Sequence, residues 1–342
     1  MLRSHPRRVL LAVVAAAGIA GAFMLAPALG RLPHEMRLGG NGDVRWLLFG
    51  LILEALSFAG QVLLFRAVYE GSGARIGYRD SYEITLAGHA ATRLFASAGT
   101  GGMALTGWAL RRRGLPLGEV ARRMIAFLVL MYSVYTLALV LGGIGLWTGT
   151  LSGGGSAALT LSPAALAAAV GLTAVAAPFA GARAARWLRR DERRFARTAG
   201  RLSTAVDATA DGVRLAFSMI RERRFGLIGA PMWWGFDLAV LWVSFRAFGG
   251  TAPLGVILMA YFVGTLANTL PLPGGIGGVE GGMIGAFVAF GVHPELAVAA
   301  VLAYRMYAFW LPTIPGAIAY LQLRRSLPSV AVARPESQAA LA

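Results

Sequence analysis

The stretch Pro271-Leu272-Pro273-Gly274-Gly275-Ile276-Gly277-Gly278-Val279-Glu280-Gly281-Gly282 interrupts an otherwise apolar run from Leu254 to Gly291. Two prolines and four glycines within its first eight residues cannot continue a helix. Proline removes a backbone donor and clashes with the preceding turn, and glycine loses the most entropy on ordering. Inside a bilayer, irregular backbone survives only where protein or water satisfies it. The stretch therefore reads as the apex of a broken hairpin that lines a cavity, with a half-helix restarting near Gly278. The free N–H groups at that helix start form a site for an anion such as a phosphate, and the glycines let a head group approach the backbone. Glu280 falls in the first turn. It either stabilises the helix dipole there or pairs with Arg305. Tight helix packing is the other use of such glycines, and the framing prolines argue against packing alone.

Composition places this stretch in a membrane. Of 342 residues, 57% are hydrophobic and only 14% charged, with a mean hydropathy of +0.63. Soluble domains carry about 25% charged residues, so a soluble fold could not hide this much apolar surface. Disorder is excluded by the same figures. Cysteine is absent, which excludes disulfide scaffolds, thiolate metal sites and cysteine nucleophiles. The net charge is +16 and every basic residue is an arginine. The arginines cluster in short runs between apolar stretches, as in cytoplasmic loops of polytopic membrane proteins.

A spanning helix needs about 20 apolar residues. Full spans are predicted at Val9–Gly30, Trp46–Tyr69, Ala121–Trp147, Ser162–Ala180, Phe225–Phe248 and Leu296–Leu323. The first, preceded by Arg3, Arg7 and Arg8, also resembles a signal peptide with a cleavage site at Ala26-Pro27-Ala28; a retained helix is favoured. A second broken stretch, Ser81–Leu110, is interrupted at Gly99-Thr100-Gly101-Gly102 and ends in Arg111-Arg112-Arg113. The uncharged loop Ser152–Ser156 reads as external. If both broken stretches are re-entrant hairpins, the arginine-rich loops fall on one side, giving six spans, two hairpins and both termini in the cytoplasm. If they cross fully, there are eight spans. The expected fold is an all-α polytopic membrane protein of inverted-repeat architecture in the plasma (inner) membrane. Its units are an N-terminal helix (1–30), repeat 1 (46–148), a linking helix (161–180), a basic linker (181–225), repeat 2 (226–323) and a tail (324–342). In the linker, Leu188, Phe195, Leu202, Val206, Val213 and Phe217 recur at helical spacing. The segment reads as one or two amphipathic helices on anionic lipid, or as a solvated positive-inside linker. Aromatic stacking platforms are missing, so no nucleic-acid partner is expected.

The repeat rests on three matches in order. Phe65-Arg66-Ala67 recurs as Phe245-Arg246-Ala247, and Gly101-Gly102-Met103 as Gly281-Gly282-Met283. Ala121-x-Arg123-Met124-x-Ala126-Phe127 recurs as Ala303-x-Arg305-Met306-x-Ala308-Phe309. Each unit reads as span, broken hairpin, span. One extra span separates them, which turns the second unit over in the membrane, the plan of many transporters. Pairing at one offset puts Arg93 opposite Pro273, near the apex of the first hairpin. A duplication kept only for packing is the alternative.

Charges at membrane depth are costly and point to function. Glu54 and Asp237 lie near the middles of the first spans of the two units. Ser81, Thr85, His89, Arg93 and Ser97 form one helical stripe; Tyr261, Thr265, Asn268 and Thr269 form another. Two polar walls facing one cavity are expected. Arg93 and Arg305 would hold an anionic head group together with the glycine-rich helix start. Glu54, Asp237 or Glu280 would neutralise them in the empty site or carry a coupling proton; fixed salt bridges are the alternative. Arg66 and Arg246 lie near span ends and are expected to snorkel. His89 reads as a member of the stripe, and no pattern of metal ligands or cofactor-binding motif occurs, so neither metal nor cofactor is expected.

Pro271, Pro273, Gly274, Gly275, Gly277 and Glu280, followed by Tyr304-Arg305 and by Pro312 and Gly316, resemble the membrane region of the lysylphosphatidylglycerol synthase family, the flippase-like domain proteins. The hydropathy layout is similar over roughly residues 10–325. The resemblance implies an integral membrane protein that moves a lipid, or a lipid-linked molecule, between leaflets. Two-domain members add a soluble aminoacyl-transfer domain; only 17 residues follow Arg325 here, so that activity is not expected. The first hairpin lacks the Pro-Gly signature, so the resemblance does not imply equal function of the two hairpins. The expected partners are an anionic phospholipid or lipid-linked substrate and the surrounding membrane lipids; the sequence is also compatible with a homo-oligomer. A transporter of small organic anions is the alternative. A membrane enzyme or accessory subunit acting on polyprenyl-phosphate lipids comes third, since no catalytic motif is present.

Overall fold

The computed structural model describes residues 43–71, 76–94, 100–188, 196–269 and 275–326, and within them every regular element is helical. The span expected at Val9–Gly30 lies outside the described residues. The chain runs through α1 (Val44–Tyr69), α2 (Tyr78–Leu94), α3 (Thr100–Arg112), α4 (Leu117–Trp147), α5 (Ala157–Leu188) and α6 (Ala196–Arg221). A 3-10 turn at Phe225–Ile228 leads into α7 (Gly229–Ala247). Then come α8 (Leu254–Thr265) with a 3-10 extension at Leu266–Thr269, α9 (Gly278–Ala289), α10 (Pro294–Arg305), a π-turn at Met306–Trp310 and α11 (Thr313–Ser326).

Among the described residues, five stretches are long and apolar enough to cross a membrane: Val44–Tyr69, Leu117–Trp147, Ala157–Gly181, Phe225–Ala247 and Pro294–Ser326. They are the five described members of the expected set, and the protein is a multi-pass membrane protein. Their outer faces carry Leu48, Ile52 and Leu56 on α1, Leu137, Leu141 and Ile144 on α4, and Leu166 and Val170 on α5, all exposed. Rows of exposed aliphatic side chains three or four residues apart suit a lipid solvent, since water would penalise them. By contrast α8 and α9 are 12 residues each, and α2 and α3 are 17 and 13. At 1.5 Å per residue, each of these limbs rises less than the roughly 30 Å of hydrocarbon.

The ends of the elements sort into two levels. At one end, Asp80 in the first turn of α2 pairs with Arg113 just after α3 at 2.6 Å. The Ser326 hydroxyl at the end of α11 donates to Glu83 at 3.3 Å and accepts from Arg113 at 3.3 Å. Gly226 packs on Ala67 and Leu63 near the end of α1. At the other end, the Asp43 N–H donates to the Ala247 carbonyl at 3.1 Å. The loop after α4 touches the second hairpin at both its margins, with Gly153 against Pro253 and Val256 and Gly155 against Phe290. The start of α2 and the end of α3 thus lie together near the start of α4, and the start of α8 and the end of α9 lie together near its end.

Two apolar cores follow from this arrangement. One joins α7, α8, α9 and α10 to Tyr135, Leu139 and Leu146 of α4. The other joins α1, α2, α3 and the first half of α4 to Ala319 and Leu323 of α11. α8 packs on α4, and α2 on α11. The seam where the two cores meet is α1 against α7. There the backbones touch, and a Cβ added at Gly60 would stand 2.9 Å from the Gly229 carbonyl.

Four expectations need correction. Gly101 and Gly102 are helical, because α3 starts at Thr100. Gly102 serves a close crossing, where a Cβ would stand 2.5 Å from the Gly88 carbonyl of α2. Gly282 likewise packs on Gly264 of α8. The contacting glycines are 14 residues apart in the first hairpin (102 − 88) and 18 in the second (282 − 264), so the Pro-Gly apex is a four-residue insertion. Arg93, five residues past Gly88, accordingly matches Thr269, five past Gly264, rather than Pro273. The last span is discontinuous: the π-turn separates α10 from α11. Finally, the linker helix α6 packs on α4 and α5 through Ala210, Val213, Ala216 and Met219, while Phe217 faces outward, 52% exposed. Small residues are what let α6 lie close, as where Gly212 meets Ile125. The side chains of Leu188, Phe195 and Leu202 lie outside the described residues.

Candidate functional site

Buried polar side chains gather where the two cores meet. On α1, Glu54, Ser57 and Gln61 lie between and beside Leu53 of one core and Phe58 of the other. Asp237 on α7 comes from the other side of the seam and is 6% exposed. Its Oδ2 accepts from the hydroxyls of Tyr261 on α8 and of Tyr304 on α10, the latter at 2.9 Å. Glu54, 3% exposed, stands opposite Asp237 in the antiparallel register set by Gly60 against Gly229 and Ser57 on Trp233, and its Oε2 has no hydrogen-bond partner among the described residues. Ser57 ties the seam by donating to the Trp233 carbonyl at 3.0 Å.

Arg93, at the end of α2, reaches across to the broken closing helix of the other unit. Its Nη1 donates to the Phe309 carbonyl at 2.8 Å and its Nη2 to the Ala308 carbonyl at 2.5 Å. The reason lies in Pro312. A helix would bond the Ala308 carbonyl to the N–H of residue 312, which proline lacks. The chain widens into the π-turn, where the Leu311 N–H donates to the Met306 carbonyl, and the Arg93 fork takes up the Ala308 carbonyl that Pro312 frees together with the Phe309 carbonyl, which also accepts from the Thr313 hydroxyl. The Arg93 charge also acts on Glu54 and Asp237.

Arg305 is the last residue of α10, directly after Tyr304, and is 7% exposed. Its Nε donates to Glu280 Oε1 at 2.6 Å, and its guanidinium lies 4.4 Å from the centre of the Phe309 ring. Glu280 is the third residue of α9, and its Oε2 accepts from the Gly277 N–H at 2.8 Å. Both uses expected of Glu280 thus occur together: it caps the half-helix and pairs with Arg305. Gly277 takes φ +82° and Gly275 φ +67°, a backbone region costly for residues with a Cβ. A Cβ at Gly275 would also collide with the side chain of Asn268, an exposed residue of the 3-10 extension. Pro271, Pro273 and Gly274 lie outside the described residues.

The structure brings together Glu54, Arg93, Asp237, Glu280 and Arg305, and adds Tyr261 and Tyr304. His89 stands beside this group. It shares a hydrogen bond with Gln61 at 2.5 Å and packs against the Phe58 and Trp233 rings, which also touch each other. Thr265 turns toward the Phe262 carbonyl and Tyr135, Ser81 caps onto Gly77, and Ser97 lies outside the described residues. Arg66 and Arg246 sit over the rings of Tyr78 and Trp242, as span-end arginines do.

Sequence reasoning missed Arg123, 5% exposed on α4. It pairs with Glu119 at 2.5 Å and donates to the carbonyls of Val68, Glu70 and Gly71, closing the C-terminal end of α1. The signal was its match with Arg305 in the repeat.

Long apolar helices packed around a buried cluster of charged side chains define a polytopic α-helical membrane protein. The chain belongs to the lysylphosphatidylglycerol synthase TM region family, whose sequence profile matches residues 9–316. It is 32% identical over 105 residues to a UPF0104 membrane protein of Methanothermobacter thermautotrophicus, covering 30% of this chain and 31% of that one. It is 33% identical over 112 residues to one of Pyrococcus horikoshii, covering 32% and 33%. Each match thus spans about a third of the relative's length.

Proposed function

We propose that the protein moves the anionic head group of a phospholipid or lipid-linked molecule between the leaflets of the plasma membrane. The observation that carries this reading is the Glu280–Arg305 pair at the start of α9, on the edge of a buried cluster built from both units. An arriving phosphate would replace Glu280 at Arg305 and meet the glycine-rich helix start. Glu54, Asp237 and Glu280 neutralise the two arginines in the empty site.

Short limbs that begin and finish at one level support two re-entrant hairpins, and their opposite levels support inverted units. The end of the molecule that carries Arg111, Arg112, Arg113, Arg324 and Arg325 is the cytoplasmic one by the positive-inside rule, with both termini on that side. Transport proceeds by rocking one unit against the other about the α1–α7 seam.

Native mass spectrometry of gently purified protein tests the binding step. The wild type is expected to retain anionic phospholipid, and Arg305→Ala to retain about tenfold less, the effect of one lost charge-assisted hydrogen bond. Equal retention by both would overturn the site.

A further inference from the structure

Glu54 and Asp237 are the first spans' only carboxyls at the seam among the described residues, one from each unit. They stand opposite each other across the seam, in the register set by Gly60 against Gly229 and Ser57 on Trp233, and two buried carboxyl groups sharing one site do not both ionise. The partners around them are fixed. Asp237 accepts from Tyr261 and Tyr304, Arg93 is held on the carbonyls of Ala308 and Phe309, and Arg305 is paired with Glu280. His89 is engaged with Gln61. Glu54 Oε2 is left buried and unpartnered among the described residues.

Counting formal charges, three carboxylates (Glu54, Asp237, Glu280) and two guanidiniums (Arg93, Arg305) leave one negative charge in excess. Uncompensated charge in an interior is expensive. We propose that the Glu54–Asp237 pair is a proton-binding site that couples head-group movement to the proton gradient. The proposal rests on the head-group reading above. One proton from water neutralises the empty cluster. A monoanionic phosphate adds one negative charge, so it enters with one further proton, taken by the second carboxyl of the pair, and anion and proton travel together.

Two measurements test this. Protein in detergent is mixed with short-chain phosphatidylglycerol beside a pH-indicator dye, with lipid binding followed by native mass spectrometry. About one proton should be taken up per lipid bound, and Glu54→Gln should lower that uptake. Infrared spectra of the lipid-free wild type should show a protonated-carboxyl band, an observation that needs no variant to fold. Lipid binding without proton uptake, or no protonated-carboxyl band, overturns the coupling and leaves head-group binding standing. Absence of lipid binding overturns both.

Discussion

Arg93 and Arg305 carry the same charge and do different work. Arg305 faces a carboxylate that a phosphate can replace, whereas Arg93 holds two backbone carbonyls of the broken helix. The fork geometry matters for the second task, because a lysine is a point donor. Arg93→Lys is therefore expected to fold but to lower transport about tenfold, measured in reconstituted vesicles; a rate equal to wild type would refute the role. The Glu280–Arg305 pair was legible in the sequence, since a first-turn carboxylate and a span arginine invite each other. The contact of Arg93 was not, because its acceptors lie more than 200 residues away, and Pro312 frees only the one on Ala308.

At the scale of elements, hydropathy marked the spans because lipid-facing surfaces need long apolar runs. It did not mark the π-turn, whose residues Met306–Trp310 are as apolar as the helix around them. Spacing gave part of the packed face of α6, Val206 and Val213, but misplaced Phe217, which faces outward. The hairpins yield a direct prediction, since the chain has no native cysteine. Single cysteines replacing the exposed Arg79 and Arg111 should react with an impermeant maleimide from one side of the membrane. Those replacing the exposed Thr251 and Glu295 should react from the other. Labelling of the two members of either pair from opposite sides would mean that the hairpin crosses.

Across the whole molecule, two cores share each other's closing helices and meet at the close α1–α7 seam. The charged cluster sits at that junction, so movement of one unit against the other must alter it. Whether the junction carries lipid is tested most directly by leaflet exchange of a fluorescent anionic phospholipid in reconstituted vesicles, read by quenching from outside. Wild-type vesicles should exchange the lipid well above protein-free vesicles, and Arg305→Ala vesicles should match the protein-free rate. Exchange by the wild type no faster than in protein-free vesicles, or no slower in Arg305→Ala, would contradict the account.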